Sequence, residues 1–147
     1  DGVGNPHNLG AIVRTAAFFG LPRLVVSDHP AQALPSEAAH RVAEGGFEWL
    51  ELWRAERFAA TLKRLKPAYR VIGTALDPKR PTVGVEALTR PGPPIALILG
   101  NEEEGLPRAT LDACDAVLTI PGSGRVQSLN VAATAAILIN ALAAGRV

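Results

Sequence analysis

The apolar run IALIL at residues 95–99, between Pro94 and Gly100, decides the fold class of this chain. Five consecutive apolar residues show neither the alternation of a half-exposed strand nor the ~3.6-residue period of an amphipathic helix. Such a run is typical of a strand buried on both faces, as the strands of parallel sheets are. We therefore expect residues 95–99 to form a strand of an α/β sheet that is buried on both faces.

Helical patterns and β-rich segments alternate around this strand. Apolar positions from Leu9 to Phe19 follow helical spacing, and Gly20 stands where a C-terminal cap belongs. Ser36 is placed to cap a helix that continues to Glu44. This alternation predicts a mostly parallel sheet with helices on both faces. Further predicted strands are Arg23–Val26, Trp49–Leu52, Tyr69–Ala75 and Ala116–Ile120, and further predicted helices are Arg54–Leu65 and Ser128–Ala144.

Length and composition indicate one compact domain over residues 1–147. The chain is 48% hydrophobic and 20% charged, which suits a packed core. It contains neither a run near the ~20 apolar residues of a membrane span nor a signal peptide, so we expect a cytoplasmic protein with no membrane partner. A single cysteine, Cys114, excludes an internal disulfide and a zinc cluster, and we predict no metal site.

The sequence begins at Asp1 and contains no methionine. We therefore expect a fragment of a longer protein, with a substrate-binding domain upstream. Net charge is only +1, which gives no bulk argument for a nucleic-acid partner. Eight basic residues lie between Arg54 and Arg80, and they form either a solvated helix face with a loop or a weak phosphate-contacting patch.

Three acids between two glycines follow the predicted strand at residues 95–99, in the segment GNEEEGLP at residues 100–107. Open α/β sheets bind their ligands beyond the carboxyl ends of their strands. Clustered carboxylates repel one another, which favours a role at such a site. An exposed acidic turn before a helix near Pro107 explains them equally well, because carboxylates favour the helix dipole.

A second loop, IPGSGRVQSLNV at residues 120–131, follows another predicted strand. Gly122 and Gly124 allow a ligand to approach the backbone closely. Ser128 and Asn130 stand at the N-terminus of a helix, where helix capping explains one of them but not both. The loop lacks the third glycine of the dinucleotide-binding fingerprint, which disfavours a nicotinamide-dependent oxidoreductase.

The third segment is NPHNLGAIVRT at residues 5–15, in which Arg14 follows Asn8 by six residues. Arg14 lies in the second turn of an otherwise apolar helix. Such an arginine either reaches solvent as an ordinary surface residue or meets a partner.

Together the three segments resemble the SpoU/TrmH branch of the SPOUT methyltransferases. The shared patterns are N-x-G-A-I-x-R-T, L-G-N-E-x-x-G-L and I-P followed by S-L-N-V-A, in that order over essentially the whole chain. The resemblance implies an RNA 2′-O-ribose methyltransferase that uses S-adenosylmethionine, acts on rRNA or tRNA and forms a homodimer. It also implies a C-terminal trefoil knot, which ordinary topology rules would not suggest.

The resemblance also assigns roles to individual residues. Arg14 activates the ribose hydroxyl, and we expect it to clamp phosphate and stabilise the alkoxide, since a guanidinium with a pKa above ~12 is a poor base. Asn8 positions Arg14 or the ribose, and Glu102 braces its loop and orients Asn8 or Arg14. The predicted catalytic set is Arg14, Asn8, Glu102, Ser128 and Asn130. The predicted donor-binding residues are Thr74, Ala75, Leu76, Leu99, Gly100, Asn101, Glu102, Ile120, Ser128, Leu129 and Asn130.

Three points stay open at the level of sequence. The same loops would also serve a catalytically idle module that binds RNA or a nucleotide. The small residues Ala132, Ala133, Ala135 and Ala136 suit close helix packing in a dimer and in a monomer core alike. The residues do not identify the RNA or the methylated nucleotide.

Overall fold

Strands and helices alternate in a computed structural model of the protein, which describes residues 1–76 and 79–145. The strands are β1 (Arg23–Ser27), β2 (Glu51–Ala55), β3 (Arg70–Thr74), β4 (Thr82–Val83), β5 (Ile95–Ile98) and β6 (Ala116–Leu118). The α-helices are α1 (Pro6–Phe18), α2 (Glu37–Ala43), α3 (Phe58–Leu65), α4 (Arg108–Ala113) and α5 (Val131–Ala144), and short 3₁₀ turns cover Gly46–Glu48 and Val85–Leu88.

Every strand pair in the described part of the chain is parallel, as predicted. β1 pairs with β2, and a second sheet has the order β4-β6-β3-β5. The strands thus belong to two sheets rather than one. β4 was not predicted, because two residues carry no periodicity.

Helices cover both faces of the four-stranded sheet. Val71 and Ile72 are adjacent on β3 and fully buried, so they point to opposite faces. Val71 packs in a cluster with Leu62 of α3 and Ala113 of α4, whereas Ile72 packs with Leu138 of α5. The predicted α/β architecture with helices on both faces is confirmed. The trefoil knot stays a prediction.

Strand β5, predicted from the apolar run, lies at the edge of its sheet. Among the strands of residues 1–76 and 79–145 it pairs with β3 alone, and Ile95, Ala96 and Leu97 are only half-buried. Its free edge lines a cleft of about 760 Å³ that is also lined by β1 and by Phe58 and Leu62 of α3. Both faces of β5 still pack against the core, since Ala96 lies in the cluster that includes α3 and Leu97 in the cluster that includes α5. The prediction that both faces are covered is therefore confirmed, and the half-burial reflects the free edge, which an apolar run does not reveal.

The helix predicted from Arg54 begins later. Arg54 belongs to β2, and α3 starts at Phe58, because the Asp28 carboxylate accepts hydrogen bonds from the backbone N–H groups of Arg57 at 2.7 Å and Phe58 at 3.4 Å. These bonds hold the pKa of Asp28 below its ordinary value. The strand predicted at Trp49–Leu52 is likewise displaced, since β2 runs from Glu51 to Ala55.

Helix α1, which carries the first motif, ends where the sequence predicts and begins at a capping residue that was not predicted. The Asn5 side chain accepts a hydrogen bond from the His7 N–H at 2.8 Å, and Pro6 takes the first helical position. Gly20 has the left-handed φ of 69° expected just beyond a helix C-terminus. None of the helices within residues 1–76 and 79–145 combines the length and apolar character needed to cross a bilayer.

Candidate active site

The three motif segments meet through one chain of hydrogen bonds. The Asn8 side-chain amide donates to Glu102 Oε1 at 2.9 Å, and the Asn130 amide donates to Asn8 Oδ1 at 3.1 Å. These contacts join residues that are 94 and 122 positions apart in the sequence. Helix α1, the loop after β5 and the start of α5 therefore converge at a single place.

Glu102 is an acceptor for several donors of the first segment. Its carboxylate also accepts hydrogen bonds from the backbone N–H of Gly4 at 3.0 Å and of Asn5 at 3.1 Å. Partial burial alone would raise the pKa of Glu102, but the hydrogen bonds from Asn8, Gly4 and Asn5 outweigh it and leave the pKa lowered. The carboxylate thus stays ionised at neutral pH and accepts all three hydrogen bonds.

The loop that carries Glu102 is a tight turn held by its own side chains. Asn101 Oδ1 accepts from the backbone N–H groups of Glu103 and Glu104, and Asn101 Nδ2 donates to the Gly2 carbonyl at 2.8 Å. A Cβ at Gly100 would lie 2.6 Å from the Gly105 carbonyl carbon, so no larger residue fits. Glu102 therefore belongs to the hydrogen-bonded motif cluster, whereas Glu103 and Glu104 lie on an exposed turn.

Asn130 joins the cluster while it caps α5. Its Oδ1 accepts hydrogen bonds from the backbone N–H of Ala132 at 2.8 Å and of Ala133 at 3.3 Å. Helix α5 consequently begins at Val131 and not at the predicted Ser128. Ser128 and Leu129 lie in an exposed loop that covers residues 121–130. Capping thus explains Asn130 and leaves Ser128 without a structural role among the described contacts.

Residues 74–76 lie between the ends of β5 and β6. The Thr74 hydroxyl donates to the Ile98 carbonyl at 3.1 Å, and the Ala75 N–H donates to the Leu118 carbonyl at 3.2 Å. Leu76 comes next, with 54% of its surface exposed. This segment therefore joins Gly100, Asn101 and Glu102 at the same edge of the sheet. Leu99 and Ile120 are also at this edge, but their side chains pack against the core.

Arg14 lies farther along α1 and has a different partner. Its guanidinium nitrogen Nη1 is 3.0 Å from Glu44 Oε1, and both side chains are more than half exposed. The sequence predicted that Glu102 orients Asn8 or Arg14, and in the structure Glu102 contacts Asn8. Glu44 was not singled out from the sequence, because its pairing depends on the packing of α2 against α1.

Comparison with known proteins gives the family. Residues 1–140 match the SpoU rRNA Methylase family. A 23S rRNA (guanosine-2′-O-)-methyltransferase, RlmB, from Nitrosomonas europaea is 40% identical over 140 residues, which are 95% of this chain and 52% of that protein. The chain thus spans about half the length of the curated relatives it matches.

Solved structures agree with this match. A structure described as an RNA 2′-O ribose methyltransferase is 30% identical, with a TM-score of 0.79 over 98% of this chain and 54% of its own. An AdoMet-bound rRNA methyltransferase from Sinorhizobium meliloti is 28% identical, with a TM-score of 0.78 over 94% of this chain and 51% of its own. The chain belongs to the SpoU rRNA methylase family.

Proposed function

We propose that this domain transfers a methyl group from S-adenosylmethionine to a ribose 2′-hydroxyl in ribosomal RNA or tRNA. The observation that carries the proposal is the hydrogen-bonded chain of Glu102, Asn8 and Asn130, which unites the three motif segments. This cluster stands at the carboxyl ends of parallel strands, where open α/β sheets bind ligands. Similarity to proteins named as rRNA 2′-O-methyltransferases supports the reaction class.

The residues at this edge fit an adenosine-containing donor. Leu76 and Leu129 are apolar yet 54% and 52% exposed, which suits contact with an apolar purine face. The loop at residues 121–130 is exposed throughout and contains Gly124 with a φ of 80°, so its backbone is open to a hydrogen-bonding ligand. When bound, the donor supplies a methyl group already activated by its sulfonium. A related methyltransferase has been solved with AdoMet bound.

The chain's own contribution is then to orient the RNA and to stabilise charge. The Arg14 side chain is 57% exposed, so N–H donors beyond its contact with Glu44 remain open to a phosphate. A guanidinium keeps its proton at neutral pH, so Arg14 stabilises the oxyanion as the 2′-hydroxyl loses its proton to phosphate or water. Asn8, held by Glu102 and Asn130, orients the ribose. Ser128, which is exposed and lies two residues before Asn130 in the chain, completes the proposed catalytic set.

We also propose that the protein works as a cytoplasmic homodimer. Helix α5 presents Ile137 with 42% of its surface exposed, and the small residue Ala133 lies one turn away on the same side. An apolar residue beside a small one suits close helix packing between two copies. Ala135 is fully buried in this chain's own core and does not contribute to that surface.

Donor binding gives the first test. Saturating S-adenosylmethionine or S-adenosylhomocysteine should raise the melting temperature, because a ~100-fold excess over Kd stabilises the native state by ~2.7 kcal/mol. NAD at the same concentration should leave it unchanged. A folded sample that shows no shift at millimolar donor contradicts the proposed cofactor.

Substrate assignment needs a second test. RNA from a strain lacking the gene should accept methyl groups from the full-length enzyme, and mapping of the 2′-O-methylated riboses should identify the position. A protein that binds the donor but methylates neither rRNA nor tRNA would be the catalytically idle module instead.

A further inference from the structure

Two close contacts with α1 place Glu44 next to Arg14. Gly10 lets α2 approach α1, since a Cβ there would lie 2.4 Å from the Ala39 carbonyl oxygen. Gly46 lets the segment after α2 touch α1 at Arg14 itself, since a Cβ there would lie 3.3 Å from the Arg14 Cα. The end of α2 is therefore fixed beside Arg14 by backbone contacts on both sides of Glu44.

The backbone at Glu44 is one that a glycine would adopt more easily. Glu44 is the C-cap of α2 with φ 45° and ψ 52°, the left-handed region that L side chains disfavour. The two following residues are already glycines, Gly45 and Gly46. The ion pair with Arg14 is exposed, and exposed pairs contribute little to stability. Stability therefore does not account for a glutamate at this position.

The geometry points to Glu44 as a positioning residue for Arg14, an inference that rests on the proposed function. Its carboxylate holds Nη1 of the guanidinium at 3.0 Å and leaves the other N–H donors free to meet an RNA phosphate. A long arginine side chain that is tethered at one edge loses less rotamer freedom when the substrate binds. Glu44 thus acts through Arg14 and need not touch the RNA.

The direct test is Glu44→Gln in the full-length enzyme, assayed in single-turnover methylation at saturating RNA and donor. We expect the rate to fall about 10-fold with the donor Kd unchanged, since displacement of a catalytic group by ~1 Å can cost ~100-fold. Glu37→Gln is the matched control, because it removes the exposed Glu37–Arg41 pair of 2.7 Å on the same helix and should keep the parental rate.

Glu44→Gly separates positioning from folding. Glycine relieves the left-handed backbone, so the melting temperature should rise while the methylation rate falls. A stabilised variant that methylates at the parental rate would overturn the inference. This variant also keeps the test decisive should Glu44→Gln fold poorly.

A double-mutant cycle with Arg14→Ala shows whether Glu44 acts through Arg14. Glu44→Gln should cost nothing further once Arg14 is alanine. An equal loss in both backgrounds, an unchanged rate, or a faster rate because Glu44 competes with phosphate would each overturn the inference. A parent enzyme that fails to methylate any RNA contradicts the proposed function instead, so the two failures are distinguishable.

Discussion

Arg14 is the residue on which the proposed chemistry depends most. It lies on α1, whereas the donor loops follow β3, β5 and β6, so donor binding and charge stabilisation should be separable. Arg14→Ala should leave the donor Kd within a few-fold and lower the single-turnover rate by roughly 100-fold or more, as loss of an oxyanion-stabilising group does. Calorimetry and single-turnover methylation measure the two effects. A parental rate would remove Arg14 from the catalytic set.

The conservative change at the same position tests how Arg14 acts. Lysine keeps the positive charge but lacks the planar fork that can bind phosphate through two N–H groups. Arg14→Lys should therefore recover little of the rate that alanine loses. Full recovery in the same assay would mean that charge alone is sufficient and that bidentate clamping plays no part.

Glu102 gives a prediction about stability and pH. Glu102→Gln keeps the shape but weakens the hydrogen bonds from Gly4, Asn5 and Asn8, and we expect a loss of ~1–2 kcal/mol at pH 7, measured by urea unfolding. The folded pKa of Glu102 lies below the ordinary value of 4.5, so its contribution is complete above that pH and disappears as the pH falls through the folded pKa.

The difference in unfolding free energy between parent and Glu102→Gln should consequently shrink below pH 4.5. Glu103→Gln is the control, because the Glu103 side chain is exposed. Its free energy of unfolding should equal that of the parent at pH 7 and at pH 3. A gap between parent and Glu102→Gln that stays constant from pH 7 to pH 3 would show that the carboxylate is not the stabilising species.

At the scale of elements, the sequence predicted those helix ends that are determined by capping residues next to them in the chain. The end of α1 and the start of α2 were predicted, because Gly20 and Ser36 act on their own helices. The start of α3 was not, since Asp28 caps it from about thirty positions away. The edge position of β5 was missed for the same reason, because strand order depends on the whole chain.

The candidate site, too, was predicted from the sequence only in part. The motif residues Asn8, Glu102 and Asn130 were predicted, and the structure brings them together. The pairing of Arg14 with Glu44 was not predicted, since it requires two helices to approach through a glycine contact that no spacing in the sequence reveals. The motif therefore identifies Arg14, whereas the packing of α2 against α1 determines its partner.

Helix α5 carries the prediction about assembly. Ile137→Glu places a charge on its exposed apolar surface, so it should convert the proposed homodimer to a folded monomer of 15.4 kDa for this chain. Light scattering measures the mass, and circular dichroism checks the fold. Leu34→Glu is the matched control, because Leu34 is 51% exposed outside α5 and should leave the dimer intact. If light scattering gives Ile137→Glu and Leu34→Glu the same mass, the interface does not lie on this surface of α5.

At the scale of the whole molecule, charge limits how strongly this domain can hold RNA by itself. The net charge is +1, and several basic residues of the Arg54–Arg80 stretch already have partners. Lys66 pairs with Asp115 at 3.2 Å, and Arg80 pairs with Asp112 at 2.7 Å. The stretch is therefore closer to a solvated, partly paired surface than to a dedicated phosphate-binding patch.

We therefore expect weak RNA binding by residues 1–147 and stronger binding by the full-length protein. A protein with 6–10 phosphate contacts loses ~10³–10⁵ in affinity between 50 and 200 mM salt, whereas this domain should lose less than about 10-fold, because few counterions are released. Fluorescence titration of a labelled rRNA fragment at both salt concentrations measures the slope. Tight and steeply salt-dependent binding by the domain alone would contradict this expectation. In that case Lys63→Ala and Arg64→Ala on α3 should reduce the slope, because both residues are exposed on the basic helix, and the stretch would then be a phosphate-binding surface.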